Sequence, residues 1–165
     1  MIDKQLFVEE NTRERERLRA LVNRMTDKYL ERRIDGDWTV AALLAHLAFW
    51  DYRALVLLNR WNRVGIGPSL IDVDGVNDAA LPLCLAIPPR VAANLALAAA
   101  EAIDHALECA TPEMIAQIEA LGGKFRLRRW GSIAASIWSR SNAFSKKRIV
   151  RATGDGPANQ GRNLN

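Results

Sequence analysis

The chain has 165 residues, nearly half of them hydrophobic, and 23 lysines and arginines against 19 acids give a net charge of +4. That length is enough for one domain with a real core and short for two, and the apolar content excludes an intrinsically disordered chain. The richest apolar run, 91–103, is broken by Asn94 and Glu101, so no stretch approaches the ~20 uninterrupted apolar residues of a membrane span. The opening Met1-Ile-Asp-Lys-Gln has no basic region leading into an apolar one, so no secretory signal is expected. Cys84 and Cys109 lie in apolar helical contexts without metal-type spacing and read as reduced core thiols of a cytoplasmic protein.

In chain order, helices are expected throughout. Residues 3–25 place Leu6, Phe7, Glu10, Leu18, Leu21 and Val22 near one face, with arginines and glutamates crowding the other. Those charges can form i,i+4 pairs worth a few tenths of a kcal/mol each and read as a solvated face, not a binding site. Thr26-Asp27-Lys28 resembles an N-cap opening a short turn through Leu30. Asp35-Gly36-Asp37 breaks the chain, and a helix capped by Thr39 runs to about Arg63. Gly65, Gly67 and Pro68 mark a loop, and residues 73–86 fit a short irregular helix around Pro82. Pro88 and Pro89 suit the first turn of a helix that continues through alanines to about Cys109. Thr111-Pro112-Glu113 repeats the cap-then-proline signature for a short helix ending at Gly122-Gly123. A last amphipathic run spans residues 130–150, and disorder is expected over 152–165. No strand-like alternation persists. Four long helices argue an all-α, up-down four-helix bundle with short extra helices, occupying residues 1–151.

The segment 35–51 carries the most information. Thr39 can accept from the free amides of a first helical turn. Val40, Leu43, Leu44, Leu47, Val56 and Leu57 then form the core stripe. His46 sits beside that stripe, flanked by Leu43, Leu47 and Trp50. An imidazole at the edge of an apolar face is either a hydrogen-bonded structural residue or a ligand directed into a cavity. Trp38, Leu44, Leu47 and Trp50 are expected to be buried.

Trp38-Thr39-Val40, Leu44, His46-Leu47 and Trp50-Asp51 resemble the DinB/YfiT-like superfamily, which includes the mycothiol-dependent maleylpyruvate isomerase N-terminal domains. The stretch 72–78 and Phe125-Arg126-Leu127 extend the similarity over about residues 13–127. The resemblance implies a four-helix bundle and a divalent metal, nickel or zinc. It implies three ligands, one histidine on the second helix and two residues one turn apart on the last. His46 matches the first ligand, with Trp50 and Asp51 as pocket neighbours. Imidazole suits these metals, and three ligands leave a position open for water or substrate.

The other two ligands are missing. His105, in Ala-Ile-Asp104-His105, aligns with no ligand position of the family, and the run 130–144 contains no histidine, carboxylate or cysteine. Composition changes in the same region. Residues 1–123 hold 13 lysines and arginines and 18 acids, a net of −5; residues 124–165 hold 10 and one, a net of +9. The basic tail can be a nucleic-acid or membrane patch, a solvated tail, or a segment translated in the wrong frame. With permitted codons, the frame shifted from Gly131 reads Val-His-Arg-Arg-Glu-His-Leu-Glu-Ser-Ile-Glu-Arg-Val-Leu. That peptide supplies the missing His-x-x-x-His and keeps an apolar stripe. A one-base insertion near Trp130-Gly131 accounts for all of these features together. The translated run still carries Trp130, Ile133, Ile137, Trp138, Phe144 and Ile149 as material for a last helix.

Two functional classes follow. The first is a metal-dependent thiol transferase, isomerase or small-molecule hydrolase, whose metal would polarise a substrate group or acidify a bound thiol or water. With His46 as its surviving ligand, this chain is expected to bind metal weakly or not at all. The second is a non-catalytic bundle binding a small ligand or a partner. A small-molecule or thiol substrate is the expected ligand and a homodimer is compatible. Neither a membrane nor nucleic acid is expected, since the tail's arginines have the simpler origin in the frame argument.

Overall fold

The computed structural model describes residues 4–121; the expected last helix over 130–150, the tail over 152–165 and the domain boundary at 151 lie outside the described residues. The first helix, α1 (Lys4–Arg24), turns Leu18, Leu21 and Val22 inward, at the i, i+3, i+4 spacing that keeps side chains on one face. The expected places of Leu6 and Phe7 lie outside what is described. Glu14–Arg17 and Glu16–Arg19 pair along the outer surface at i,i+3. Arg15 departs from the solvated-face reading. Its guanidinium crosses to the buried Asp104 carboxylate at 2.8 Å. A charge run therefore supplies a ligand to a partly buried ion pair, which periodicity along one helix cannot reveal.

Thr26 accepts from the Tyr29 amide and opens the single-turn α2 (Asp27–Leu30), whose Leu30 is fully buried. The Asp35-Gly36-Asp37 break is a tight hairpin. β1 (Arg33–Asp35) pairs antiparallel with β2 (Trp38–Thr39) in the register Arg33↔Thr39 and Asp35↔Trp38. Gly36 takes φ +52°, the left-handed region that a glycine enters without strain. This small sheet corrects the expectation of no strands, because a two-residue strand is too short to show alternation.

Thr39 then caps α3 (Val40–Val64), its hydroxyl accepting from the Ala42 amide at 3.0 Å. Gly65, at φ +87°, ends the helix by donating its N–H to the Trp61 carbonyl. After the loop, Asp72 caps α4 (Val73–Ala86), which includes Pro82. Pro89 occupies the first turn of α5 (Pro89–Cys109), and the Thr111 hydroxyl accepts from Met114 to start α6 (Pro112–Ala120).

Small residues set how the two longest neighbours meet. α3 buries Ala41, Ala42, Ala45 and Ala48; α5 buries Ala92, Ala93, Ala96, Ala99 and Ala100. Side chains this short let helix axes approach closely. The start of α3 shares one apolar cluster with residues 92–100 of α5, and its later part shares a second with Ile103 and Leu107. The excursion through α4 therefore returns the chain so that α5 runs in the same sense as α3, which corrects the expected up-down order of the long helices while keeping the all-α class. α1 runs opposite to α5: Lys4 meets the carbonyls of Glu108 and Ala110, whereas Arg90 meets the Met25 carbonyl and the Asp27 carboxylate.

By length and composition α3 could cross a bilayer, contrary to the sequence expectation, although half of its apolar window is buried inside the molecule. Length alone cannot tell a span from a core helix, and the buried alanine face gives α3 its reason to be apolar. Three further expectations are corrected. Val56 is 68% exposed because the buried face of α3 continues through Ala54, Leu58 and Trp61, whereas Val56 stands about 180° around the helix from Leu47 at ~100° per residue. Trp38 and Trp50 are half-buried, since they stand at the rim of α3's buried face. Cys84 is a core thiol as expected, but Cys109, in the last turn of α5, is exposed.

Candidate functional site

His46 lies almost two turns into α3 and is half-buried. Phe49 and Trp50 follow at i+3 and i+4, so both rings stand on its side of the helix. Trp38, at the end of β2, meets the imidazole edge-on with centroids 5.0 Å apart. Phe49 stacks at 6.5 Å and Trp50 meets it edge-on at 6.0 Å. Phe49 and Trp50 themselves pack edge-to-face at 5.4 Å, a favourable aromatic arrangement. Arg53 closes the outer side, its guanidinium carbon 5.6 Å from the Trp50 ring centroid and its Nη2 donating to the Ser69 hydroxyl at 2.7 Å.

One hydrogen bond fixes the chemistry of the imidazole. The Trp50 indole Nε1–H donates to His46 Nε2 at 2.9 Å. An indole nitrogen can only donate, so Nε2 must be the acceptor and the proton of the neutral ring resides on Nδ1. Nδ1 is buried and has no hydrogen-bond partner among the described residues. Burial holds the His46 pKa below the ordinary histidine value, which favours this neutral form.

The structure brings together His46 and Trp50 as the sequence grouped them. Asp51 is buried, at 2% exposure, but lies roughly 140° around α3 from His46 at ~100° per residue, toward the helix-packing side. Trp38, Phe49 and Arg53 were missed. Phe49 and Arg53 had a signal, since residues 46, 49, 50 and 53 share one helical face at three- and four-residue spacing. Trp38 shared the family motif with His46, but helical spacing could not place its ring on the imidazole, because the hairpin carries it there. His105 is on the surface of α5, with its side chain 77% exposed.

Among the described residues no three histidine, cysteine or carboxylate side chains converge as a metal site. His46 itself presents its free lone pair to Trp50. To ligate through Nε2, the imidazole must first lose the indole; to ligate through Nδ1, it must move its proton onto the nitrogen that the indole already occupies. The described residues therefore do not fit a catalytic metal.

A helical bundle with one short β-hairpin, holding a ring-flanked histidine near the start of its second long helix, is the class that the described fold and site define. A model of the DinB superfamily matches residues 10–132, and the chain belongs to that superfamily. No curated protein and no solved structure matches it.

Proposed function

We propose that this is a DinB-like protein of the metal-dependent thiol-transferase, isomerase or small-molecule-hydrolase type which, in its present sequence, holds divalent metal weakly and turns over little. The maleylpyruvate isomerase relatives supply the chemistry by resemblance, a small-molecule or thiol substrate among it, and a cytoplasmic setting suits the two free thiols. The observation that carries the reading is the Trp50–His46 hydrogen bond, which occupies the one unprotonated nitrogen of the neutral ring. A frame-shifted ending accounts for the missing His-x-x-x-His. The second reading, a non-catalytic ligand- or partner-binding bundle, draws support from the aromatic surround of His46, which suits an uncharged planar group.

Metal analysis of the purified 165-residue chain, with titration calorimetry against zinc and nickel, is the test. Substoichiometric metal and weak binding are expected. The same measurement on a variant carrying the shifted-frame ending from Gly131 should give close to one metal per chain. Tight stoichiometric metal in the present chain, lost on His46→Ala, would overturn the proposal.

A further inference from the structure

A second group of reactive side chains lies at the far end of the molecule, by the apolar cluster of Leu107, Ala110 and Ile115, away from the Trp38–His46 cluster. In the last turn of α5 the exposed Cys109 Sγ stands 3.9 Å from His105 Nε2. The i,i+4 spacing places these side chains one above the other. On the other side of the imidazole, His105 Nδ1 is 4.0 Å from Glu108 Oε2. A carboxylate beside Nδ1 favours a proton there, which leaves the Nε2 lone pair toward the sulfur. Nucleophile, base and orienting acid are thus in sequence on one helical turn, the order that activates a nucleophile elsewhere.

A helix C-terminus opposes negative charge on such a sulfur, because its last carbonyls point outward. Here α1 intervenes. The Lys4 ammonium donates to the carbonyls of Glu108 and Ala110, at 2.8 and 2.7 Å, on either side of Cys109 in sequence. It satisfies two of those carbonyls and sets a positive charge beside them. Among the described residues, the titratable groups placed about the thiol are His105 and Glu108 on α5 and Lys4 from α1. The next helix contributes the exposed Glu113 in its first turn. Cys84, buried in the other cluster, has no such setting.

We propose that Cys109 is a surface thiol built for thiol–disulfide exchange with a small disulfide, with His105 as its base and Lys4 as a positioning residue. The Cys109 S–H proton passes to His105 Nε2 and the sulfur attacks one sulfur of the disulfide. The disulfide S–S bond breaks as the Cys109 S–S bond forms, and the departing thiolate takes the proton from the imidazolium. The protein thiol is oxidised to a mixed disulfide and half of the small disulfide is reduced to thiol, with no further oxidant.

The test is exchange of the full-length chain with oxidised glutathione, read by intact mass and peptide mapping. One adduct at Cys109, formed at pH 7 about tenfold faster than on an unstructured peptide of residues 105–113, is expected. His105→Gln should slow the reaction about tenfold at pH 7 but leave the rate unchanged near pH 10, where a thiol is ionised without a base. Lys4→Met should slow it at pH 7, because it removes a positive charge that favours the thiolate, and leave it nearly unchanged near pH 10, where the thiolate forms regardless. Circular dichroism of each variant separates these effects from unfolding. A peptide-like rate at pH 7, an adduct on Cys84, or a His105→Gln effect of the same size at both pH values would overturn the proposal.

Discussion

Trp50 decides what His46 can do, because the donor-only indole fixes which imidazole nitrogen carries the proton. Trp50→Phe keeps an aromatic ring but removes that donor. Nitrogen-15 NMR of the ring should then show His46 moving from the Nδ1–H tautomer toward a mixture; an unchanged pattern would mean that the indole does not set it. Asp104 makes a second residue-scale prediction. Burial pushes its carboxyl up to about 6, the Arg15 charge and hydrogen bond pull it down, and the Glu108 charge pushes it up again. The folded chain thus binds a proton in a range where an unfolded aspartate has lost it. Stability from this group is fully present below about pH 4 and is lost as pH rises through about 6. Asp104→Asn should remove that loss, so wild type and variant should diverge in urea midpoint between those limits. Parallel profiles would rule it out.

Among the elements, α3 depends most visibly on a single local interaction. The Thr39 hydroxyl on the Ala42 amide satisfies one of the first-turn donors of a helix that carries both the core contacts and His46. Thr39→Ala should cost about 1 kcal/mol of stability and lower the melting temperature by a few degrees. Thr39→Ser should restore most of it, since serine offers the same acceptor. A loss equal for both replacements would point to Thr39's place in β2, not its cap.

At the scale of the molecule, stability rests on the two apolar clusters that α1, α3 and α5 build between them, with α4 and α6 closing their sides. Leu44, fully buried in the first cluster, and Val56, exposed on the same helix, make the contrast. Leu44→Ala should cost about 2–5 kcal/mol through lost burial and the cavity left behind, while Val56→Ala should stay within about 0.5 kcal/mol. Denaturant unfolding of the two variants measures both; comparable losses would mean that Val56 is covered in solution.

The helices and their caps were legible in the sequence because they depend on neighbours a few residues away. Thr26, Thr39 and Thr111 announce helix starts through a hydroxyl that reaches an amide three residues on, and Pro89 and Gly65 mark boundaries by their own backbone limits. The superfamily was legible too, because Trp38, Thr39 and His46 hold its pattern within ten residues of chain. The tertiary structure alone decided the rest. It set Trp38 against His46 through a hairpin too short to leave a periodic trace, and turned Arg15 from a solvated face to a buried Asp104 some ninety positions away. It brought Lys4 to the end of α5, beside a cysteine that its apolar sequence context assigned to the core. Each of these contacts joins residues distant in sequence, and the physical quantities that fix them, helix crossing and burial, exist only once the elements have packed.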